Sequence, residues 1–144
     1  MVCTFFGHKD APDSIESVLF KTITDIIENM GVNKFYVGNQ GKFDGMVRRI
    51  LKNLKAKYPY IDYAVVLAYM PIKKDDKDYS DTIFPDGLEN VLQKYAINKR
   101  NYWMINKSDI VVTYVVRYFG GAAKFKEIAE KRGKKIINIY ECEI

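Results

Sequence analysis

Residues 98–127 read NKRNYWMINKSDIVVTYVVRYFGGAAKFKE, and this stretch decides the fold. It joins an Arg-bearing helix to an apolar strand that runs into a Gly-Gly turn, and the turn opens another helix. Successive glycines before a helix let the backbone approach a ligand closely, and the free N–H groups there favour an anion. Arg100 and Glu127 flank the turn, so we expect a cation and a carboxylate around one crevice. The stretch predicts a site for a phosphorylated or nucleotide-like ligand.

The rest of the chain repeats the alternation of apolar strands and amphipathic helices. Strands are predicted over residues 2–6, 34–38, 62–69, 109–116 and 135–140. Runs without polar alternation are typical of strands covered on both faces. Helices are predicted from a Ser14 cap to Gly31, over residues 43–57 before Pro59, and from Gly121 to Gly133. The order predicts a single α/β domain over residues 1–144: a Rossmann-like, doubly wound, mostly parallel five-stranded sheet with helices on both faces and right-handed crossovers.

Composition restricts the class of protein and its partners. The 144 residues suffice for one substantial core, and 48% hydrophobic with 28% charged residues excludes a disordered chain. No apolar run approaches the roughly 20 residues that span a bilayer, and the start MVCTFFGHKD lacks a signal-peptide layout, so a cytoplasmic protein without a membrane partner is expected. The net charge of +5 favours anionic partners. Cys3 and Cys142 are too few and too distant for a disulfide scaffold or zinc site, so buried hydrophobic roles are expected, with no metal and no cofactor.

Residues 70–97 interrupt the alternation of strands and helices, between the third predicted strand and the helix that carries Arg100. A segment of this length without strong periodicity is typical of a functional flap or an insertion. The charged residues 73–81 are predicted to form a solvated tip. The apolar side chains that follow are predicted to fold back onto the body: Ile83, Phe84, Pro85 and Leu88.

Three glycine-bearing turns follow the first, second and fourth predicted strands. In open parallel sheets, ligands bind beyond the carboxyl ends of the strands, near the point where strand order reverses. The predicted ligand-binding residues are therefore Gly7, His8 and Lys9 in the first turn, Gly38, Gly41 and Asp44 in the second, and Gly120, Gly121 and Ala122 in the third. Structural alternatives remain open, since His8 can cap a turn and Asp44 can offset a helix dipole.

Arg100 and Glu127 are the candidates for chemistry. Arginine recognises phosphate with a planar pair of donors. Glu127, one to two turns into the last long helix, could orient a ribose or assist a leaving group. The alternative is a solvent-facing ion pair with Lys124, Lys126 or Lys131.

These residues resemble the SLOG group of Rossmann-like proteins, which includes the Lonely-guy type phosphoribohydrolases and DNA-processing protein A. The Lonely-guy pattern places a Met four residues after an Arg, an Asp five after that, then an apolar strand and P-G-G-x-G-T-x-x-E. Arg100, Met104 and Asp109 keep those spacings, and Gly120, Gly121 and Glu127 match the paired glycines and the final Glu. The opening, residues 6–9 (FGHK), is similar to the T-G-H-R start of a small bacterial SLOG family, whose glycine-rich turn followed by Asp resembles residues 38–44.

The resemblance implies a nucleotide-like ligand, and in the hydrolases the Arg and the Glu take part in cleaving the N-glycosidic bond of a nucleoside monophosphate. This chain departs from the pattern at four positions: Phe119 replaces the Pro, Ala123 the third Gly and Lys124 the Thr, while Asn101 stands where a Lys is usual. Lys124 could replace the lost hydroxyl contact with a charge or block the same pocket.

Three functions follow as hypotheses. The first is binding of a nucleotide or nucleotide-derived phosphorylated small molecule. The second is an N-glycosidase or ribosyl transferase with Glu127 and Arg100 as its catalytic residues. The third is binding of single-stranded nucleic acid through the basic side of the second helix, which carries Arg48, Arg49, Lys52 and Lys55. Because proteins of this fold class often dimerise, a homo-oligomer also stays open.

Overall fold

Strands and helices alternate along the chain. The computed structural model describes residues 1–70 and 80–142, with residues 141 and 142 described by their backbone alone. The strands are β1 (Val2–Gly7), β2 (Lys34–Val37), β3 (Asp62–Val66), β4 (Thr82–Ile83), β5 (Ile110–Tyr114) and β6 (Lys135–Asn138). The helices are α1 (Glu16–Met30), α2 (Gly41–Lys57), α3 (Gln93–Lys107), α4 (Gly121–Lys131) and the short α5 (Ile139–Cys142), with 3-10 turns at Asp13–Ile15 and Leu88–Asn90.

The strands form one parallel sheet in the order β4-β3-β2-β1-β5-β6. The chain builds outward from β1 to β4, then returns to place β5 on the other side of β1. Strand order therefore reverses between β1 and β5, which opens a crevice beyond their carboxyl ends. The predicted α/β, doubly wound sheet is confirmed, but the described chain has six strands rather than five. The additional β4 pairs only Thr82 and Ile83 with β3, too short a run to show as a strand in the sequence.

Apolar side chains cover both faces of the sheet. Successive strand residues point to opposite faces, so Phe5 of β1 joins the cluster formed with α1 and α2, whereas Phe6 joins the one formed with α3 and α4. Phe5 stacks on Phe35 at 6.1 Å between ring centroids, and Phe6 stacks on Phe125 at 5.6 Å. The second pair lies directly beneath the crevice and so joins the core to the candidate site.

Several boundaries in the structure differ from those predicted from the sequence. Ser14 lies inside the 3-10 turn before α1 and makes no capping bond, whereas Gly31 ends α1 in the left-handed conformation as predicted (φ 73°). β3 ends at Val66 rather than at residue 69, and β6 ends at Asn138. The Asn138 amide bonds both the N–H and the carbonyl of Val115, at 3.0 Å each, and α5 begins immediately after it.

The insertion between β3 and α3 packs partly against the body, as predicted. Pro85 and Leu88 are buried and Phe84 packs against the core, but Ile83 is 37% exposed. Most of the predicted solvated tip, residues 73–79, lies outside the described residues. Its last residue, Asp81, is not a free surface charge, because it accepts hydrogen bonds from Arg48 Nε at 2.9 Å and from the Tyr63 hydroxyl at 3.0 Å.

Candidate functional site

A crevice of about 390 Å³ opens at the carboxyl ends of β1 and β5, where strand order reverses. The predicted site residues in its wall are Gly7, His8, Lys9, Asp44, Arg100, Gly120, Gly121 and Ala122. The wall also contains residues that sequence reasoning missed: Gln40, Asn98, Asn101 and Arg117, with Ile97, Met104 and the Phe6–Phe125 stack as apolar surface. The structure thus brings together side chains from four separate parts of the chain.

Arg100 is a buried cation in this wall. It lies on α3 with only 3% of the residue exposed. Its guanidinium donates to Asn101 Oδ1 at 2.9 Å, Asn39 Oδ1 at 3.2 Å and the Val66 carbonyl at 3.3 Å, all neutral acceptors. Among the described residues, no carboxylate forms an ion pair with it. Burial lowers the pKa of Arg100, and the nearby charge of Asp44 opposes that shift.

Asp44 supplies the carboxylate of the crevice. It lies in the first turn of α2, is 8% exposed, and accepts a hydrogen bond from the Gln40 N–H at 3.0 Å. Burial raises the pKa of Asp44 to about 6, against the opposing effects of the Gln40 bond and of the Arg100 and Lys9 charges. The bond to Gln40 also serves the start of α2, so the structural role expected for an acid at this position is present as well.

Gly38 separates these two charged groups. A Cβ at this position would lie 2.7 Å from Asp44 Oδ2, closer than real Cβ contacts allow, and 3.0 Å from Arg100 Nη1, tighter than most of them. Gly38 does not itself line the crevice; it lets the carboxylate and the guanidinium approach the same peptide. Gly41 is likewise outside the wall, and it packs against Lys9, whose carbonyl accepts the Lys42 N–H at 2.9 Å.

The third turn leads into α4 without a capping side chain. Gly120 adopts φ 93°, which strains any residue with a Cβ, and within residues 1–70 and 80–142 no side chain caps the first turn of α4. Of the atoms in that part of the chain, none beyond the neighbouring residues would lie within 4 Å of a Cβ at Gly120 or Gly121. The helix start therefore presents backbone N–H groups and a positive dipole end on open surface at the crevice.

His8 supports the loop from β5 to α4. It is 4% exposed, and its ring atom Nε2 accepts the Val116 N–H at 3.1 Å. The backbone N–H of His8 donates to the Tyr114 carbonyl at 3.3 Å. Accepting through Nε2 requires a neutral ring, and burial together with the Arg117 charge lowers the pKa of His8. His8 therefore lines the crevice, but its Nε2 is already hydrogen-bonded to the loop from β5 to α4.

Lys9 and Arg117 add cations at the mouth. Lys9 is exposed, as expected for a turn residue facing a ligand. Arg117 pairs with Asp10 at 3.3 Å, and its guanidinium lies 5.3 Å from the centroid of the Phe119 ring. Sequence reasoning missed Arg117 because a single loop cation has no characteristic spacing. Its position three residues before a predicted phosphate-binding turn was the available signal.

Two of the predicted site residues, Glu127 and Lys124, do not lie in the wall of the crevice. The Glu127 side chain is 64% exposed and pairs with Lys131 at 3.0 Å, and the Lys124 ammonium lies over the Phe125 ring. Residues two apart on a helix are about 200° apart around its axis, so the inward direction of Phe125 sends Glu127 outward. The spacing of the buried residues Phe125 and Ala129 in α4 already indicates that Glu127 lies on the opposite side of the helix. The carboxylate that faces Arg100 is Asp44.

The described residues contain no cluster of three or more His, Cys, Asp or Glu side chains able to hold a metal ion. Cys3 is a free, buried thiol, whereas the side chain of Cys142 lies outside the described residues. Within residues 1–70 and 80–142, no helix combines the length and the apolar character needed to cross a bilayer. No protein-family model matches the chain, and no curated protein matches its sequence.

Proposed function

We propose that this protein binds a nucleotide, or a phosphorylated molecule derived from one, in the crevice between β1 and β5. The observation that carries the proposal is Arg100, a residue that is only 3% exposed and whose guanidinium is bonded only to neutral acceptors. Removing a charge from water without a directly paired counter-charge costs several kcal/mol. The Asp44 charge lies nearby but forms no ion pair with Arg100 among the described residues, so an anionic ligand in contact with the guanidinium would supply a direct counter-charge.

Two further features support an anion with a phosphate group. The crevice wall contains three cationic side chains (Lys9, Arg100 and Arg117) against one carboxylate (Asp44). The uncapped start of α4 adds backbone donors and a positive dipole end. The resemblance of residues 100–127 to the SLOG group points to the same class of ligand. We place the phosphate at the Gly120–Ala122 turn, within reach of Arg100.

The two alternatives receive less support. The hydrolase alternative relied on Glu127, which lies outside the crevice wall. The nucleic-acid alternative relied on a basic face of α2, where Arg48 pairs with Asp81, Arg49 with Glu16 and Lys55 with Asp62. Carboxylates thus partly neutralise that face, whereas the buried Arg100 has no ion pair among the described residues.

The test is calorimetric titration of adenosine monophosphate and adenosine into the wild-type protein and Arg100→Ala. The variant is expected to weaken the monophosphate by roughly 1.5–3 kcal/mol, the range for a hydrogen bond to a charged group, and the nucleoside far less. Arg49→Ala, which removes an exposed arginine on another face, is the control and should bind normally. Equal weakening of both ligands by Arg100→Ala would assign the residue to the fold rather than to phosphate.

A further inference from the structure

Two adjacent aromatic rings lie exposed at the rim of the crevice. Tyr118 is 96% exposed and Phe119 is 60% exposed, and their rings meet edge to face at 5.8 Å. Their flanking residues, Arg117 and Gly120, both line the crevice. The two rings, here called the aromatic rim, therefore continue the crevice wall rather than forming a separate surface patch.

The loop that carries the aromatic rim is anchored at its base. The backbone N–H of Val115 donates to Asn138 Oδ1, and its carbonyl accepts from Asn138 Nδ2. The backbone N–H of Val116 donates to His8 Nε2. Arg117 is tied to Asp10 and lies over one face of the Phe119 ring. Large rings exposed on an anchored loop gain nothing from core packing, so their position requires another explanation. Exposed aromatic groups beside a polar cleft are typical of ligand contact.

We infer that the aromatic rim is the base-binding subsite of the crevice, where the planar ring of a nucleotide stacks on Phe119 with the perpendicular Tyr118 ring at its edge. This inference rests on the proposed function, since it needs the phosphate to lie at the start of α4. Tyr118 is three residues before Gly121, so their Cα atoms are at most about 11 Å apart. One mononucleotide can therefore reach both subsites.

Recognition by stacking has a distinctive specificity. Every base has a π-face, so aromatic side chains bind bases with little dependence on the hydrogen-bonding edge. Larger ring systems stack over more area. The subsite is therefore expected to prefer purine over pyrimidine monophosphates, with little distinction between adenine and guanine.

The experiment compares adenosine monophosphate with ribose 5-phosphate, which has the same sugar and phosphate but no base. Phe119→Ala is expected to weaken the nucleotide about tenfold or more while changing ribose 5-phosphate by about twofold or less. Phe119→Leu keeps apolar volume without a ring and should also weaken the nucleotide. Phe20→Ala, which removes an exposed phenylalanine of α1 outside the crevice, should leave both affinities unchanged.

The outcomes separate this inference from the proposed function. If ribose 5-phosphate binds as tightly as adenosine monophosphate, or if Phe119→Ala weakens both equally, the base subsite is wrong. The proposed function survives either result provided that Arg100→Ala still weakens the binding of both phosphorylated probes by roughly 1.5–3 kcal/mol. If the wild-type protein binds neither probe, both the inference and the proposed function are overturned.

Discussion

Arg100 and Asp44 lie in the same crevice with opposite charges, yet they do not form an ion pair. Burial shifts the pKa of each group toward its neutral form, upward for Asp44 and downward for Arg100. A pair selected for stability would be joined directly by bidentate hydrogen bonds. The separation leaves both groups able to contact a third one, which is the arrangement expected where function is retained at a cost in stability.

Asp44→Asn is expected to stabilise the protein at neutral pH. The pKa of Asp44 is about 6 in the folded protein and 3.8 as the reference for the unfolded chain, so the folded state binds the proton more tightly. Between pH 3.8 and about 6 the contribution of Asp44 to stability therefore falls as pH rises, and the penalty is complete above pH 6. Asparagine can still accept the Gln40 N–H. We expect a gain of roughly 1–3 kcal/mol at pH 7.5 and little gain near pH 4.

Urea denaturation of wild type and Asp44→Asn at both pH values, without added ligand, measures this difference. Asp13→Asn, which makes the same substitution at a side chain that is 83% exposed and outside the crevice, is the control for the exchange of a carboxylate for an amide. A stability difference between Asp44→Asn and wild type that stays constant from pH 4 to 7.5 would rule out the raised pKa.

At the scale of elements, the loop from β5 to α4 combines a structural role with the binding role proposed above. Its base is anchored by His8 and Asn138, and its end opens α4 through two consecutive glycines with different constraints. Gly120 has a positive φ of 93°, whereas Gly121 is the first residue of the helix and has open space around its Cβ position. Gly120→Ala therefore tests the conformation of the turn, whereas Gly121→Ala tests whether a ligand approaches the backbone there.

Gly120→Ala is expected to lower the free energy of unfolding by about 1–3 kcal/mol, because alanine is strained at that φ. Gly121→Ala should leave stability unchanged or raise it by about 0.4–1 kcal/mol, since helical alanine restricts the unfolded chain. We nevertheless expect Gly121→Ala to weaken adenosine monophosphate, because a methyl group would occupy the space that a phosphate needs. Denaturation and calorimetry measure the two effects. Normal binding by Gly121→Ala would show that the phosphate does not approach this backbone.

At the scale of the whole molecule, the crevice lies between the two halves of the doubly wound sheet. The turn after β2 belongs to the half that builds outward to β4, and the turn after β5 belongs to the half that ends at β6. Arg100 is bonded to the first of these halves, through Asn39 beyond β2 and Val66 at the end of β3, while it faces the crevice. A ligand held by Arg100 and by the start of α4 would connect both halves.

Hydrogen–deuterium exchange should register that connection. Adenosine monophosphate is expected to slow amide exchange both at residues 38–41 and at residues 119–123, because ligand binding suppresses local opening on each side of the crevice. The amides of β5, a buried strand inside the sheet, are expected to exchange slowly with or without ligand and serve as the internal control. In Arg100→Ala the protection of both segments should be lost. Protection restricted to one turn would mean that the ligand does not span the two halves.

The architecture was predictable from local patterns. Apolar runs without alternation indicate strands buried on both faces, and parallel strands require helical crossovers, so a doubly wound sheet follows from the order of the segments. Gly31 and the turn at Gly120 and Gly121 were also readable, since a left-handed or strained backbone position selects glycine locally. β4 could not be predicted, because a strand of two residues is too short to show a periodic pattern and forms only by pairing with β3.

The sequence by itself determined the α/β class, the converging turns and Arg100 as a candidate cation, since each depends on the chemistry of a short segment. Only the tertiary structure decided which side chains share the crevice. Asp44 faces Arg100 across Gly38, whereas Glu127 points to solvent, and Arg117 comes to the mouth through Asp10. These outcomes depend on the phase of each helix against the sheet and on contacts between residues distant in the chain, which no local pattern records.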